Sequence, residues 1–355
     1  MAEVLRDQAG AVRGGEELDA VRLEAYLRER LPLSAGPLVV KQFGSGYSNL
    51  TYLLRFGSDE LVLRRPPPGA NVKGGHDMGR EYRILKGLEG VYAKAPRALI
   101  YCDDDHVIGA PFYVMQRIHG VILRGGAGGA VDAPVTGRIG AALVDTLAEL
   151  HGIDYAAAGL AVLGRPEGYV ARQVGGWRQR YAQAATGDVP AMEAAGDWLA
   201  AHLPPQSGAA LIHNDFKLDN VVLDAGDLTR VAAVLDWEMA TIGDPLMDLG
   251  VTLAYWIEED DPPVLQRIGL GRLPGGLRRA EVAVRYAQQR GLAADGFGEQ
   301  MVFYSVFGLY KVAVIAQQIY FRYRQGLTRD PRFGGLDAVV AVCAGMAMQA
   351  ARGGE

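Results

Sequence analysis

The hydrophobic positions of this chain change period along its length. From Glu16 to Leu31, Leu18, Val21, Ala25 and Leu27 recur near helical spacing with charges between them, which predicts an amphipathic helix ended by Pro32 and Pro37. Over Leu38 to Arg65 the pattern becomes strand-like, with runs Leu38-Val-Val-Lys-Gln-Phe43, Thr51-Tyr-Leu-Leu-Arg-Phe56 and Glu60-Leu-Val-Leu-Arg64 separated by Gly44-Ser-Gly46 and Gly57-Ser-Asp59. Three such runs joined by glycine turns predict an antiparallel meander. Beyond Pro66-Pro-Pro-Gly69, Met78, Tyr82, Leu85 and Leu88 predict a helix over Asp77 to Leu88, followed by strands at Ala98 to Tyr101 and Phe112 to Ile118.

Past Arg124-Gly-Gly-Ala-Gly-Gly129, which reads as a mobile loop, helical patterns take over: Arg138 to His151, Tyr169 to Ala185, Ala191 to His202, and several more beyond Pro245. Short strands interrupt them near Val221 to Leu223 and Val231 to Leu235. This segregation predicts an α+β fold of two lobes, a strand-rich N-terminal lobe over residues 1–118 and a mainly helical C-terminal lobe over 119–355, with the chemistry between them. No repeat of solenoid length is visible.

Composition narrows the class of function. A chain of 355 residues, 49% hydrophobic, can bury a substantial core. Its formal net charge of -5 and pI near 5.8 provide no global basic field for nucleic acid or an anionic membrane, so a small-molecule partner is expected. No apolar run approaches the roughly 20 residues of a bilayer span, and the N-terminus is charged from the start, so no membrane partner and a cytoplasmic location are expected. Cys102 and Cys343 are far apart and lack metal-ligand spacing, which argues against a disulfide framework or a zinc site.

The segment Leu211-Ile-His-Asn-Asp-Phe-Lys-Leu-Asp-Asn220, followed by Val234-Leu-Asp-Trp-Glu238 and Gly243-Asp-Pro-Leu-Met-Asp248, carries the candidate chemistry. Phosphoryl transfer to a hydroxyl needs positioning, a proton acceptor and cations to absorb charge on the transferring oxygens. In this order and spacing Asp215 is the candidate proton acceptor. Asn220 and Asp236 are candidate hard-oxygen ligands for Mg²⁺. His213 belongs to the same catalytic loop and reads as a brace, and Asp248 as a cap on the loop's amides.

Upstream, Gly44, Ser45, Gly46, Ser48 and Asn49 join two predicted strands, where backbone N–H groups and side chains can cradle nucleotide phosphates. An ordinary hairpin turn fits the same residues. Arg64 occupies the place where a phosphotransferase strand presents a cation to phosphates, with Glu81 on the next helix as its partner and Arg65 as the alternative. Met115, Gln116 and Ile118 end an apolar strand whose backbone suits an adenine edge, although any core strand has this look. The remaining histidines are assigned no catalytic role, and Trp177, Trp198 and Trp256 read as apolar helix faces.

At these residues the chain resembles the aminoglycoside phosphotransferase and choline kinase superfamily, and within it the kinase-like domain fused to some acyl-CoA dehydrogenases and its stand-alone bacterial relatives. The resemblance rests on Phe43-Gly-Ser-Gly-Tyr-Ser-Asn-Leu-Thr-Tyr52, Leu63-Arg-Arg-Pro-Pro-Pro-Gly69, Arg80-Glu-Tyr82, Val107-Ile-Gly-Ala-Pro-Phe-Tyr-Val-Met115, Gly168-Tyr-Val-Ala-Arg-Gln173 and His213-Asn-Asp-Phe-Lys-Leu-Asp-Asn220. It implies a bilobal protein-kinase-like fold, ATP and Mg²⁺, and catalysis by Asp215 with Asn220 and Asp236 on the metal. Two positions depart from the pattern: Asn214, where relatives generally have glycine, and Gln116, where an acidic residue is frequent.

For the acceptor the resemblance implies a hydroxyacyl-CoA, a 4-hydroxyacyl thioester above all, and a functional partnership with an acyl-CoA dehydrogenase. The four arginines and two aromatics of Phe321 to Arg332 would suit CoA phosphates and adenine, and equally fit a solvated helix end. Glu258-Glu-Asp-Asp261 keeps a polycationic aminoglycoside open as acceptor. A nucleotide-binding pseudokinase or an AMP-transferring module is the alternative of another class.

Overall fold

The structure is a computed structural model that describes residues 8–44, 49–67, 76–124, 131–268, 275–293, 295–328 and 330–353. The chain divides into two compact units, the first formed by Met1–Val121, Val222–Ala225 and Ala232–Met239 and the second by the remainder. The first unit thus includes segments that return after the expected boundary at residue 118.

In the first unit a six-stranded sheet has the order β1-β2-β3-β4-β6-β5, from β1 (Ala9–Gly10), β2 (Leu38–Phe43), β3 (Leu50–Phe56), β4 (Asp59–Arg65), β5 (Ala98–Cys102) and β6 (Phe112–Gln116). Every pairing is antiparallel. The two-residue period of a strand sorts the side chains. Tyr52, Leu54 and Phe56 of β3, Leu61 and Leu63 of β4, and Phe112 and Val114 of β6 share one buried face with Leu23 and Leu27 of helix α1 (Ala20–Arg30). Arg64, paired in register with Thr51 and Tyr113, therefore points to the other face, where it meets helix α2 (Met78–Leu88).

In the first unit two boundaries differ from expectation for identifiable reasons. Helix α1 starts at Ala20, not Glu16, because Asp19 caps it by accepting the Arg22 N–H at 3.0 Å, while the Glu16 carbonyl accepts the Tyr52 hydroxyl. Strand β6 stops at Gln116, short of Ile118, as Arg117 turns its guanidinium to Glu60. The single turn α3 (Asp105–Ile108) was not anticipated.

The second unit is helical. It contains α4 (Ala133–Leu150), α5 (Tyr169–Ala184), α6 (Pro190–Ala201), α7 (Pro245–Ala254), α8 (Arg279–Gln289), α9 (Phe297–Arg324) and α10 (Leu336–Gly353). Helix α4 begins five residues before the expected Arg138, with Pro134 in its first turn, where a missing N–H costs nothing. The short strands β7 (Ala210–Ile212) and β10 (Thr241–Gly243) pair and flank the catalytic stretch. A second short pair, β8 (Val221–Leu223) with β9 (Val231–Val234), belongs mostly to the first unit.

Helix α9 packs against α5, α6, α7, α8 and α10. A Cβ at Gly308 would run into the Gly250 carbonyl, and one at Gly250 into the Tyr304 carbonyl, so this glycine pair lets α7 and α9 touch through their backbones. The reading that no apolar run approaches spanning length needs correction. Phe297–Arg324 and Pro331–Gly353 are long and apolar enough by length and composition, although the first is mostly buried as a core helix.

Candidate active site

In the first unit, three carboxylates converge on one guanidinium. Arg64 Nη1 donates to Glu81 Oε1 at 2.7 Å, and Nη2 to Asp236 Oδ1 at 2.9 Å and Glu238 Oε2 at 3.4 Å. Burial acts against this charge, but Glu81 first and then Asp236 raise the Arg64 pKa well above its ordinary value. Glu81 Oε1 also accepts the Trp237 N–H at 3.1 Å, so helix α2 fixes both Arg64 and the Asp236 turn. That turn is tight: Asp236 has φ +68°, and Arg80 holds the Glu238 carbonyl at 2.9 Å. Asn49 donates to Glu238 at 2.5 Å.

Arg65 points elsewhere, donating to the Ile108 and Pro66 carbonyls. Arg64 is thus the strand cation that meets Glu81. Gly44 and Gln116 are exposed, Met115 is buried and Ile118 half-buried. Ser45, Gly46 and Ser48 lie outside the described residues, as does 125–130 of the expected mobile loop.

In the second unit, β7 delivers the chain into a loop clamped from behind. Asp248 on α7, fully buried, accepts the backbone N–H groups of His213 at 2.7 Å and Asn214 at 2.8 Å. His151 Nε2 lies 3.1 Å from Asp248, and its Nδ1 is 2.6 Å from the Tyr286 hydroxyl. Burial opposes the Asp248 charge, yet the His151 hydrogen bond leads the effects that hold its pKa below the ordinary value. His213 is fully buried with its ring edge-on to Phe216. Asn214 adopts φ +66°, the left-handed region where asparagine is the best tolerated residue after glycine.

The clamp presents Asp215. Its carboxylate accepts Asn220 Nδ2 at 2.9 Å and lies 2.9 Å from Lys217 Nζ. Asn220 Nδ2 also donates to the Asp215 carbonyl at 2.9 Å, which leaves the amide oxygen for a hard cation. Lys217 sits over the Tyr255 ring, and despite burial Asp215 raises its pKa, so the ammonium stays charged. Burial pushes Asp219 up to about 6.

A cavity of about 270 Å³ has Tyr255 and Lys217, the partner of this carboxylate, in its wall. Phe216, Trp256, Ile257 and Leu277 make much of the rest, and Glu258, Glu259 and Arg278 also line it. Glu258 accepts the Arg279 N–H at 2.5 Å, and the Arg279 guanidinium pairs with Asp261. Two of the four clustered carboxylates are thus committed to one arginine.

A family model described as the phosphotransferase enzyme family matches residues 39–282. The chain belongs to that family. Acyl-CoA dehydrogenase family member 11 of Gallus gallus is 36% identical over 323 residues, covering 89% of this chain and 41% of the relative. Acyl-CoA dehydrogenase family member 10 of Mus musculus is 34% identical over 303 residues, covering 84% and 28%. The phosphotransferase therefore spans well under half the length of these relatives.

Among solved structures, a protein of Ralstonia eutropha JMP134 assigned as an aminoglycoside phosphotransferase superposes with a TM-score of 0.80 at 29% identity, covering 95% of this chain and 99% of that one. Choline kinase from Cryptosporidium parvum gives 0.62 at 12% identity, covering 94% and 96%, a likeness of fold. The chain is a small-molecule kinase with the protein-kinase-like fold of this family, whose kinases use a nucleotide, ATP or GTP.

Within this phosphotransferase, the expected residues gather in two sets: Asn49, Arg64, Glu81 and Asp236 in the first unit, and His213, Asp215 and Asn220 in the second. Sequence reasoning missed Lys217, Tyr255, Trp256 and Lys311. Trp256 lies in the loop after α7, not on a helix, and donates to the Leu277 carbonyl at 2.6 Å while lining the cavity. Lys311 carried a visible signal, a lone charge in the apolar stretch from Val306 to Ala316. None of the described residues of Phe321 to Arg332 lines the cavity; Arg332 pairs with Asp330 and Arg324 with the Tyr320 hydroxyl.

Proposed function

We propose that this kinase transfers the γ-phosphoryl group of ATP to the hydroxyl of an acceptor carried on an apolar chain, with a 4-hydroxyacyl-CoA the best-fitting class. The observation that carries the reading is a cavity walled by Phe216, Trp256, Ile257 and Leu277 together with Lys217, whose ammonium lies 2.9 Å from the Asp215 carboxylate. A hydroxyl placed there donates its hydrogen bond to Asp215. As the new oxygen–phosphorus bond forms and the bond to ADP breaks, the proton passes to the carboxylate, which later releases it to water. Lys217 offsets negative charge beside the reacting oxygens.

Mg²⁺ would neutralise the phosphates, and Asp236 and the Asn220 oxygen are each hard donors of the kind it takes. Arg64, fixed by Glu81, supplies a cation for the phosphates. An aminoglycoside fits less well, because Glu258 and Asp261 are engaged by Arg279. The relatives' acyl-CoA dehydrogenase names support the thioester and a functional partnership with such an enzyme. Intact Asp215, Asn220 and Asp236 argue against a pseudokinase.

The test is ADP release from Mg·ATP with a 4-hydroxyacyl-CoA, its free acid and an aminoglycoside in parallel. Asp215→Ala should lower kcat by about 10²–10⁴ and leave Mg·ATP affinity within a few fold. Release with the aminoglycoside alone would overturn the acceptor, and undiminished turnover in Asp215→Ala would overturn the mechanism.

A further inference from the structure

Lys311 lies in the middle of α9, 1% exposed, and its ammonium makes no ion pair among the described residues. Its partners are the Asn214 carbonyl at 2.7 Å, the Asn214 side-chain oxygen at 3.4 Å and the face of Trp177 at 5.4 Å. Burying a charge this way is costly, and an apolar side chain of similar length would fill the space at less expense. The Asn214 carbonyl belongs to the peptide that leads into Asp215. That peptide's orientation sets the backbone torsion from which the Asp215 carboxylate projects.

Three helices hold Asn214. Asp248 of α7 takes its N–H, Lys311 of α9 takes its C=O, and Tyr169 of α5 donates from its hydroxyl to the side-chain oxygen at 3.2 Å. The backbone contact at Gly250 and Gly308 brings the first two together: Gly250 follows Asp248 by two residues, and Lys311 is one turn beyond Gly308. We propose that Lys311 is a positioning residue for phosphoryl transfer, its ammonium fixing the Asn214–Asp215 peptide so that the Asp215 carboxylate faces the acceptor hydroxyl. The inference rests on Asp215 being the proton acceptor. It also accounts for asparagine at a left-handed position: the side chain gains the Tyr169 contact that glycine would forgo.

The experiment compares wild type, Lys311→Met, Lys311→Gln and Asp215→Ala in steady-state kinetics, with thermal unfolding recorded for each. Lys311→Met should lower kcat about tenfold to a hundredfold, the effect of displacing a reacting group by a fraction of an ångström to one ångström, with KM for Mg·ATP within twofold. Tm should not fall in proportion, since a buried charge has been removed. A merely structural lysine predicts the reverse, a lower Tm with kcat unchanged, and that result overturns the proposal. If Lys311→Met does not fold, Lys311→Gln decides, because it keeps a donor without the charge. A threefold to tenfold loss of kcat is then expected, and wild-type kcat overturns the role of the ammonium. Full turnover in Asp215→Ala would instead strike at the proton acceptor itself.

Discussion

At the scale of single residues, Lys311 also shapes the response to pH. Burial lowers its pKa from 10.5 to about 8, with Asp248 and Asp215 acting to raise it and Arg180 and Lys217 to lower it further. The unfolded chain therefore binds more protons between about pH 8 and 10.5, so this group makes stability rise with pH across that window, and its full cost applies below pH 8. The size is roughly 3 kcal/mol. Urea unfolding at pH 7.5 and 10 should show a larger alkaline gain in wild type than in Lys311→Met; equal gains would mean that burial does not lower the lysine's pKa in the fold. Other single residues were legible from parity alone. Leu61, Leu63 and Arg65 share one face of β4 and Arg64 the other, so strand alternation separates the two arginines. Lys217 was less legible, because its role depends on folding back onto Asp215 two residues earlier.

At the scale of elements, long periodic segments were read well and short ones were not. Strands β3 and β4 and helices α2, α5 and α6 fall within two residues of expectation, because each carries a full period of apolar positions. Strands β7 and β10 have three residues each, too few to show a period, and their pairing is set by tertiary contact. The loop after α7 hides the cavity wall for the same reason. There Gly140 on α4 leaves room for the Trp256 indole, since a Cβ would stand 3.1 Å from its ring, and the Leu277 carbonyl fixes the indole N–H. If an acyl chain lies along this wall, each methylene it buries adds about 0.8 kcal/mol, about a fourfold gain in kcat/KM. We expect that gain along a series of 4-hydroxyacyl thioesters to stop at a fixed chain length, and Trp256→Ala to move the stop to longer chains. A series with no dependence on length would place the chain outside the cavity.

At the scale of the whole molecule, the α+β class followed from the segregation of strand-like and helix-like periods. The return of 222–225 and 232–239 to the first unit did not, because β8 and β9 are too short to advertise their neighbours. That return puts Asp236 in one compact unit and Asn220 in the other. Stability of the entire chain is thus the readout that senses both candidate ligands. A nucleotide at a hundred times its Kd stabilises the native state by about 2.7 kcal/mol. For a chain of 355 residues each kcal/mol moves Tm by roughly 1–2 °C. If Asp236 holds the metal, ATP with Mg²⁺ should raise Tm of the wild type by several degrees more than ATP with a chelator. Asp236→Ala should lose that metal-dependent increment, while Asp215→Ala should keep it if the Asp215 carboxylate handles only the acceptor proton. An increment that survives in Asp236→Ala would assign the metal to other oxygens and leave Asp236 as a structural partner of Arg64.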